Sequence, residues 1–504
     1  MNNTYKHLLF LLFFLLVIYP LKLTAQQFVR YDGDASHNRL IVEKLAKAVR
    51  YQTVSSATDP HHKGEEFLAL HQHLKEAFPL VHSNLRAEVI NNYSLLYTWH
   101  GEKPKLKPIL ISAHMDVVPV EGASAQDWQE GPYAGTVHGA HIWGRGTLDD
   151  KYRVIAILEA VERLLADGYQ PERTIYLAFG HDEEVGGEEG AGQISHTLKQ
   201  RGVQLEAVFD EGLAVAEDVV PGISRPLALV GTAAKGSLNL KLTVNGDGGH
   251  SSAPPTDSPI EILSRAIVRL QDNPFKARMT PTTKETVKSL ARVMGSKHQF
   301  AVKNYWLFKK KIIKMLAQDQ ATDVLIRTKM TPTILEAGDK NNVMPRVASA
   351  TFNVRILSGE DDKSVIRHIR RAISDDRVEI ELFGDYTPPS PVTETDTWIF
   401  GALQATIAEV FPKALVVPAL FPGGTDAKHY TSLTSNIFRF APQVVNRDIA
   451  QLVHNVNERI SIDVFGKCIQ FYESLIQNTC GADNEALLAD IDLEELLPLD
   501  ETES

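Results

Sequence analysis

Three acidic residues in a row, Asp182, Glu183 and Glu184, lie in the stretch FGHDEEVGG, between the apolar run TIYLAF and two glycines. Carboxylates beside a buried segment cost free energy unless a cation pairs with them or water solvates them. The run therefore predicts either a site for a cation or a solvated turn.

Other acidic and histidine residues occupy the same place in the pattern, directly after a predicted buried strand. His114 and Asp116 follow PILISA, Glu183 and Glu184 follow TIYLAF, and Asp210 follows EAVF. In open α/β sheets, ligands bind in the crevice at the carboxyl ends of the strands. We therefore expect these side chains to meet at one edge of one sheet.

Two further candidates come from other stretches of the chain. Asp149 and Asp150 follow HIWGRGTL and open a predicted long helix, and His429 lies in FPGGTDAKHY after the run ALVVPALF. Each candidate also has a structural interpretation: a lone histidine at a strand end usually makes a hydrogen bond, and the two aspartates could cap the helix. Taken singly, most favour that interpretation, whereas their convergence on one sheet edge favours a site.

A cluster of this kind needs cations, because neighbouring carboxylates repel one another. Two histidines and three carboxylates without cysteine form a ligand set suited to zinc or a similar divalent metal. One carboxylate can bridge two metals, and another that is not a ligand can act as general base on the attacking water. The adjacent pair Glu183 and Glu184 suits this division, since neighbouring side chains on an irregular segment point in different directions.

Composition limits the class of protein and of partner. The chain has 504 residues, of which 43% are hydrophobic and 23% charged, which is typical of a soluble protein with two or three domains. A net charge of -11 argues against nucleic acid or an anionic membrane surface as the main partner.

The elements that must position the candidates alternate between helices and apolar strands over residues 36–235, which predicts an α/β domain with a largely parallel sheet. Over residues 236–385 the order changes to β-α-β followed by β-α-β, which predicts a small two-layer α+β domain. The α/β pattern resumes over residues 386–480, so the small domain is predicted to be an insertion. An acidic tail, residues 481–504, is expected to be poorly ordered.

The N-terminus and the two cysteines bear on the compartment. Residues 1–25 are typical of a secretory signal peptide cleaved after Ala25, so we expect export to the periplasm or secretion, with an uncleaved membrane anchor as the alternative. Cys468 and Cys480 could form one disulfide in an exported protein, and they cannot supply a thiolate-rich metal site.

Seven motifs that occur in order from about residue 110 to 430 resemble those of the dizinc aminoacylase/carboxypeptidase family, and most closely its carboxypeptidase S and N-fatty-acyl-amino-acid synthase/hydrolase branch. Each motif is weak alone, and seven in one order are specific. The resemblance implies a mixed, largely parallel sheet flanked by helices, like that of zinc exopeptidases, with an inserted lid domain. The motifs are SAHMDVVP, WGRGTLDDK, GHDEEVGG, VFDEG, GGHSSAPP, NNVMPRVASATFNVR and PGGTDAKHY.

The resemblance also implies a role for each candidate. Asp116 matches the acid that orients the imidazole of His114, and Glu183 matches the general base. The implied cofactors are two Zn²⁺ ions, with Co²⁺ or Mn²⁺ as alternatives. The implied metal ligands are His114, Asp149 as the bridging carboxylate, Glu184, Asp210 and His429.

In the predicted lid, the resemblance assigns three more residues. His250, in GGHSSAPP, resembles the histidine that stabilises the tetrahedral oxyanion, and its alternative is a loop residue on a turn. Asn342 and Arg355 match positions that grip the free carboxylate of the substrate, although Arg355 could instead be a surface strand residue. In much of the family the lid histidine reaches a partner subunit, which implies a homodimer formed through the lid.

The function implied is metal-dependent hydrolysis of an amide bond next to a free carboxylate, in a C-terminal peptide bond or an N-acyl amino acid. Three alternatives stay open: the reverse condensation by an N-fatty-acyl amino acid synthase/hydrolase, an aminopeptidase, and a metal-binding or solute-binding protein without catalysis. The candidate carboxylate clamp argues against an aminopeptidase, and the retained Glu183 argues against a mere binder.

One stretch has no place in these motifs. YWLFKKKIIKML, residues 305–316, predicts a helix with a basic face. We favour a core helix for it, and the alternative is a surface that meets lipid or a fatty acyl chain. The preference for acyl chain and amino acid is not encoded in any motif of this region.

Overall fold

A computed structural model describes residues 36–122, 124–218, 220 and 223–481. The predicted signal peptide and the acidic tail beyond residue 481 lie outside the described residues. Within those ranges, none of the helices combines the length and the apolar character that crossing a bilayer requires.

The helices and strands are numbered here in chain order. The helices are α1 Ser36–Val49, α2 Gly64–Ala77, α3 Pro79–Asn84, α4 Lys151–Ala166, α5 Ala191–Gln200, α6 Pro259–Asp272, α7 Pro281–Val293, α8 Ser296–Lys303, α9 Tyr305–Leu316, α10 Gln320–Asp323, α11 Asp362–Ile373, α12 Trp398–Val410, α13 Arg447–Ala450 and α14 Ile462–Cys480. The strands are β1 Arg86–Ile90, β2 Ser94–Trp99, β3 Ile109–His114, β4 Thr136–His138, β5 His141–Trp143, β6 Ile175–Gly180, β7 Ala207–Ala216, β8 Leu227–Ala234, β9 Gly236–Asn245, β10 Gly249–His250, β11 Lys329–Ala337, β12 Val343–Met344, β13 Val347–Ile356, β14 Val378–Thr387, β15 Leu415–Phe421, β16 Ile437–Val445 and β17 Arg459–Ser461.

An eight-stranded mixed sheet forms the centre of the large domain, with strand order β1-β2-β6-β3-β7-β16-β8-β15. The pairs β3–β6, β3–β7, β7–β16 and β8–β15 are parallel, while β1–β2 and β2–β6 are antiparallel. Every residue of β3 is buried, as expected for a strand covered on both faces. The predicted mixed, largely parallel α/β fold is confirmed.

Helices cover both faces of this sheet. The larger apolar cluster includes side chains of α1, α2, α4, α12 and α14, and a smaller cluster includes side chains of α5 and of the 3₁₀ segment Asp426–Ser432. Helix α4 is buried nearly all round, since it packs against both the sheet and α14. Its N-terminus therefore meets the carboxyl end of β3.

The second sheet has four antiparallel strands in the order β11-β13-β9-β14. Buried and partly buried residues alternate along β9, which is the pattern of a sheet with one covered face. Helices α6 and α11 cover that face, and their side chains share one apolar cluster with the strands. A separate ribbon pairs β10 with β12.

Helix α7 packs on the large sheet although it lies in the range predicted for the small domain. The hydroxyl of Thr286 donates to the backbone oxygen of Pro418 in β15 at 2.7 Å. Leu290 and Val293 pack beside Val417 of the same strand. Strand β9 begins at Gly236, where the small domain is predicted to start, whereas α7 packs on the large sheet.

The disulfide considered from the sequence does not form. Cys468 and Cys480 are both buried, free and on the single helix α14. Twelve helical residues separate the two side chains by about 18 Å, far beyond the Cα separation of about 6 Å that a disulfide requires.

Candidate active site

The first cluster surrounds His114, which is buried at the last position of β3. Its Nε2 lies 3.0 Å from Oδ1 of Asp149 and 3.9 Å from Oε2 of Glu211. Its Nδ1 lies 3.1 Å from the backbone oxygen of Asp116, which can only accept, so Nδ1 donates and Nε2 faces the carboxylates. We call His114, Asp149 and Glu211 the first group, whose ligand atoms lie within 4.8 Å of one another.

The second cluster lies at the other oxygen of Asp149. Nε2 of His454 lies 3.0 Å from Oδ2 of Asp149 and 3.2 Å from Oε1 of Glu184. We call Asp149, Glu184 and His454 the second group, whose ligand atoms also lie within 4.8 Å of one another. Asp149 offers one oxygen to each group, which is the arrangement of a carboxylate that bridges two metal ions.

A buried arginine pairs with Asp150, the residue that follows the shared carboxylate of Asp149 at the start of α4. Arg153 donates from Nη1 to Oδ2 of Asp150 at 2.9 Å and from Nη2 to the backbone oxygen of Ser112 at 2.7 Å. Its Nε donates to the hydroxyl of Tyr472 in α14 at 2.8 Å. The guanidinium therefore joins β3, α4 and α14 directly behind the first group.

A buried glutamate holds the loop of the second group against the segment before α4. Oε1 of Glu458 accepts from the backbone N–H groups of Gly146 at 2.9 Å and Leu148 at 2.7 Å. Its Oε2 accepts from Nη1 of Arg145 at 2.5 Å. Because a buried carboxylate needs such donors, these contacts fix the two segments together.

The turn after β6 separates the two adjacent glutamates. The carboxylate of Asp116 accepts the backbone N–H groups of Glu183 and Glu184, each at 3.1 Å, and so orients both this turn and the imidazole of the first group. The side chain of Glu184 joins the second group, while Glu183 lines a cavity. A Cβ on Gly187 would lie 2.0 Å from Oδ1 of Asp426, and its φ of +73° also favours glycine, so the sharp bend needs that residue.

The donor atoms of the two groups fit divalent metal ions. Oε1 of Glu184 is buried, and the 3.2 Å approach of His454 lacks hydrogen-bond geometry, so that oxygen accepts no hydrogen bond from any described residue. A buried carboxylate oxygen without a donor is unfavourable unless a cation reaches it. Imidazole nitrogen and carboxylate oxygen are the ligands that zinc takes in catalytic sites. The residues therefore suit two ions that share Asp149.

The imidazoles of the two groups carry raised pKa values in the metal-free protein. The neighbouring carboxylates of Asp149 and Glu184 raise the pKa of His454 to about 10. Burial opposes the charge on His114, but its contacts with Asp116 and Asp149 outweigh burial and raise its pKa well above the ordinary value. Protons on the imidazoles thus compensate the carboxylates, and metal ions must displace those protons.

Glu183 is a carboxyl group suited to exchanging a proton. Burial raises its pKa, the neighbouring His114 opposes that rise, and the carboxylates of Glu184 and Asp116 add to it. A general base works best when its pKa lies near the working pH. A raised pKa on a carboxyl group beside a metal-binding cluster is therefore consistent with that role.

The structure places Glu211, not Asp210, beside His114. Strand β7 continues to Ala216, so these two acids are consecutive strand residues whose side chains point to opposite faces of the sheet. Oδ2 of Asp210 accepts the backbone N–H of Ala427 at 2.8 Å, and Asp210 belongs to neither group. The structure therefore groups Glu211, and not the predicted Asp210, with His114. The sequence pattern had placed Asp210 just past a strand that ends at Phe209, whereas β7 continues to Ala216.

His429 also lies outside both groups, and His454 takes the place predicted for it beside Glu184. Nε2 of His429 donates to the backbone oxygen of Gly186 at 3.0 Å, so this histidine holds the loop that follows the two glutamates. The missed residue, His454, lies just before NERISIDVF, in the range where the sequence predicts only that the α/β pattern resumes. The loop and the short strand β17 that the structure places there gave no apolar pattern to detect.

A cavity of about 260 Å³ adjoins the site and is lined from both sheets. Glu183 and Glu184 line it from the large domain, and Arg355 lines it from β13. Arg439 of β16 also lines it; this side chain is buried, and its Nε and Nη1 have no hydrogen-bond partner among the described residues. Burial lowers the pKa of Arg439 to about 10, with Asp210 opposing, so the group remains a cation at neutral pH. The sequence indicated Arg355 but not Arg439.

The other two predicted lid residues do not line this cavity. His250 lies in the ribbon of β10 and β12, is exposed, and has Nδ1 2.8 Å from Oγ of Ser252. Asn342 is exposed beside it, and its backbone oxygen accepts the N–H of Ser251 at 3.2 Å. Within one protomer, therefore, the structure brings Arg355 to the site but leaves His250 and Asn342 on the surface of the lid.

Comparison with known proteins agrees with this geometry. Residues 110–478 match the model described as Peptidase family M20/M25/M40. The chain belongs to this peptidase family. It is 40% identical over 443 residues to the "Probable carboxypeptidase S-like 2" of Dictyostelium discoideum, with 87% of this chain and 85% of the relative covered. It is 38% identical over 446 residues to an N-fatty-acyl-amino acid synthase/hydrolase of Xenopus tropicalis, with 87% and 86% covered.

Among solved structures, the metallo-carboxypeptidase Sso-CP2 of Sulfolobus solfataricus has a TM-score of 0.63 and 19% identity, over 87% of this chain and 98% of that one. This similarity shows a shared fold. The family match and the two relatives confirm the resemblance found in the sequence motifs. The protein is therefore a hydrolase of the metallopeptidase type.

Proposed function

We propose that this protein hydrolyses an amide bond that lies next to a free carboxylate. The observation that carries the proposal is the shared cavity of about 260 Å³, which Glu183, Glu184 and Arg355 line together. A substrate whose carboxylate pairs with Arg355 would present its nearest amide to Glu183. C-terminal peptide bonds and N-acyl amino acids both have this chemistry.

Two Zn²⁺ ions, with Co²⁺ or Mn²⁺ as alternatives, are the cofactors that we infer. His114, Asp149 and Glu211 would hold one ion, and Asp149, Glu184 and His454 would hold the other. When bound, such ions lower the pKa of a water molecule and polarise a carbonyl group.

Glu183 is the proton carrier in the proposed reaction. Its carboxylate takes a proton from the attacking water and later gives that proton to the leaving nitrogen, so that the C–N bond breaks to a neutral amine. Asp116 contributes by fixing the backbone of the Glu183–Glu184 turn. Glu183 and Glu184 are thus adjacent on one turn, but one is proposed to carry the proton and the other to bind a metal ion.

Arg355 is proposed to bind the carboxylate of the substrate, with Arg439 as a second cation in the same cavity. The planar guanidinium can donate two parallel hydrogen bonds to a carboxylate. The unpartnered nitrogens of Arg439 add positive charge near that position. The pair favours a substrate with a free acid over its neutral amide.

His250 is proposed to stabilise the oxyanion in the active site of a partner subunit, and Asn342 to bind the carboxylate of the substrate there. Both residues are exposed on the lid and absent from the lining of the cavity in their own protomer. A homodimer in which each lid reaches the other site would use them, and this is the assembly that we propose.

The relatives narrow the candidate substrates. One is named a carboxypeptidase S-like protein and another an N-fatty-acyl-amino acid synthase/hydrolase. We infer that this protein acts on N-acyl amino acids or on peptides with a free C-terminus. The same groups would serve the reverse condensation, because the equilibrium and not the site decides the direction.

A panel of N-acyl amino acids that varies the acyl length and the amino acid independently tests the proposal. Each free acid is paired with its carboxamide, which keeps the scissile bond and removes the charge. We expect hydrolysis of the acids only. For Arg355→Met we expect kcat/KM on the acids to fall about 10–100-fold, the loss of a charge-assisted hydrogen bond, with a smaller fall for Arg355→Lys.

The rivals give different results in this panel. Equal turnover of acids and carboxamides would contradict the clamp, and cleavage that requires a free α-amine would favour an aminopeptidase. A protein that holds metal but hydrolyses no member of the panel would favour a metal-binding or solute-binding role.

A further inference from the structure

Helices α8 and α9 carry a surface that the proposed reaction does not use. Residues 296–316 contain six lysines and no acidic residue, in a chain whose net charge is -11. All six lysines are exposed, and none has an ion-pair partner among the described residues. The lysines are Lys297, Lys303, Lys309, Lys310, Lys311 and Lys314.

Large apolar side chains are exposed among these lysines. Trp306 is 80% exposed, and Phe300 and Leu307 are each 60% exposed. Phe300 contacts Phe308 edge-to-face at 6.0 Å between ring centroids, which joins the two helices. Only Ile312 of α9 is buried, so the rest of this helix stands on the surface instead of entering the core as the sequence favoured.

The order of residues along α9 mixes charge and apolar surface on one face. Lys310, Lys311 and Lys314 lie three, four and seven positions after Leu307, so they surround it on the outward side. Trp306 precedes Lys310 by four positions and borders the same face. A water-facing helix gains nothing from these apolar side chains, whereas a helix that lies on a bilayer buries them and keeps its lysine heads at the phosphates.

We propose that α8 and α9 form a docking surface for a membrane that contains anionic phospholipid. The net charge of the whole chain predicts repulsion from such a surface, but the charge of this segment has the opposite sign and lies within reach of the lipid phosphates. The lysines supply the electrostatic attraction, and Trp306, Leu307 and Phe300 supply the apolar contact. The proposal does not depend on the reaction proposed above.

The test measures binding of the full chain to vesicles by co-sedimentation. One set of vesicles contains phosphatidylcholine only, and the other contains equal parts of phosphatidylcholine and phosphatidylglycerol. We expect binding to the anionic set that weakens as salt rises, because each lysine near the surface contributes an attraction that ions screen.

Variants assign the binding to this surface. The triple variant Lys310→Glu, Lys311→Glu, Lys314→Glu should bind at least about a hundredfold more weakly, at about fivefold per lysine. The control triple Lys105→Glu, Lys199→Glu, Lys276→Glu changes three exposed lysines elsewhere by the same charge and should lose far less. Far-ultraviolet circular dichroism and thermal unfolding of both triples check that they are folded.

Tryptophan fluorescence gives a second readout. Trp99, Trp128 and Trp143 are buried and Trp398 is partly buried, so Trp306 dominates any change caused by the surface. Its emission should shift to the blue on anionic vesicles, and the shift should vanish in Trp306→Phe. Equal loss in both triples, equal binding to neutral vesicles, or binding to nucleic acid without binding to vesicles would overturn the proposal.

Discussion

The two sheets of this protein differ in the exposure of the polar side chains at their edges. At the edge of the eight-stranded sheet, carboxylates and imidazoles from five segments lie within a few ångströms of one another, and all of them except His454 are buried or half-buried. On the four-stranded sheet and its ribbon, His250 and Asn342 are exposed, and only Arg355 faces the cavity. Both ligand groups form within one chain, whereas we propose that the exposed lid residues act only in the site of a partner subunit.

The largest expected effect concerns the region of the two ligand groups. Glu183→Ala should lower kcat by about 10²–10⁴-fold, because it removes the group that moves the proton, while the metal content stays unchanged. Glu188→Ala, an exposed acid in the same loop, is the matched control and should retain nearly full activity. Metal analysis together with steady-state kinetics checks both, and full activity of Glu183→Ala would remove the proposed base.

Substitution of two histidines then distinguishes a metal ligand from a residue that only supports the site. His454→Ala should lose at least about a hundredfold in affinity for one of the two metal ions, since it removes a ligand and not merely a supporting group. His429→Ala should keep both ions, because its imidazole only contacts the backbone of Gly186. Titration of the metal-free proteins with Zn²⁺ measures both, and the opposite ranking would restore His429 as the ligand.

Mixing two inactive variants tests whether the exposed lid residues act in the partner subunit. If the lid histidine acts in the partner subunit, Glu183→Ala and His250→Ala mixed in equal amounts should regain about a quarter of the wild-type activity, because half of the dimers then hold one intact site of two. A mixture as inactive as its components would place His250 in its own site or outside the reaction. Sedimentation of each variant checks that the dimers form.

The smallest expected effect is a change in the number of protons that the protein releases when metal binds. The raised pKa of His454, about 10, means that the metal-free protein holds a proton there at neutral pH, which a metal ion must expel. Affinity for metal should therefore rise with pH, by up to tenfold per unit for each proton displaced, until pH passes about 10. Calorimetry in buffers of different ionisation heat should show that His454→Ala releases about one proton fewer than the wild type.

The sequence predicted the fold class and three members of the metal-binding groups for a common reason. His114 ends a fully buried strand and Asp149 opens a long helix, so local patterns of apolar residues locate both. Glu184 could be predicted from the sequence because it lies beside Glu183 in the short turn after β6. The motif order then linked these segments in one family.

The remaining members could not be read from local patterns. Which of Asp210 and Glu211 faces the site depends on the face of β7 that meets His114, and that is decided by pairing with distant strands. His454 lies in a loop whose position depends on Glu458 contacting a segment about 310 residues earlier. Arg439 is one residue of a buried strand, and only the shape of the cavity marks it out.

The contact made by Glu458 has a consequence for the order in which the enzyme matures. All three members of the first group have been synthesised once residue 211 is made. The second group needs residue 454 and also Glu458, whose hydrogen bonds hold the loop in place. About 250 residues separate those two moments, which a ribosome covers in tens of seconds. A metal ion that binds the growing chain would therefore meet the first group before the second group can form.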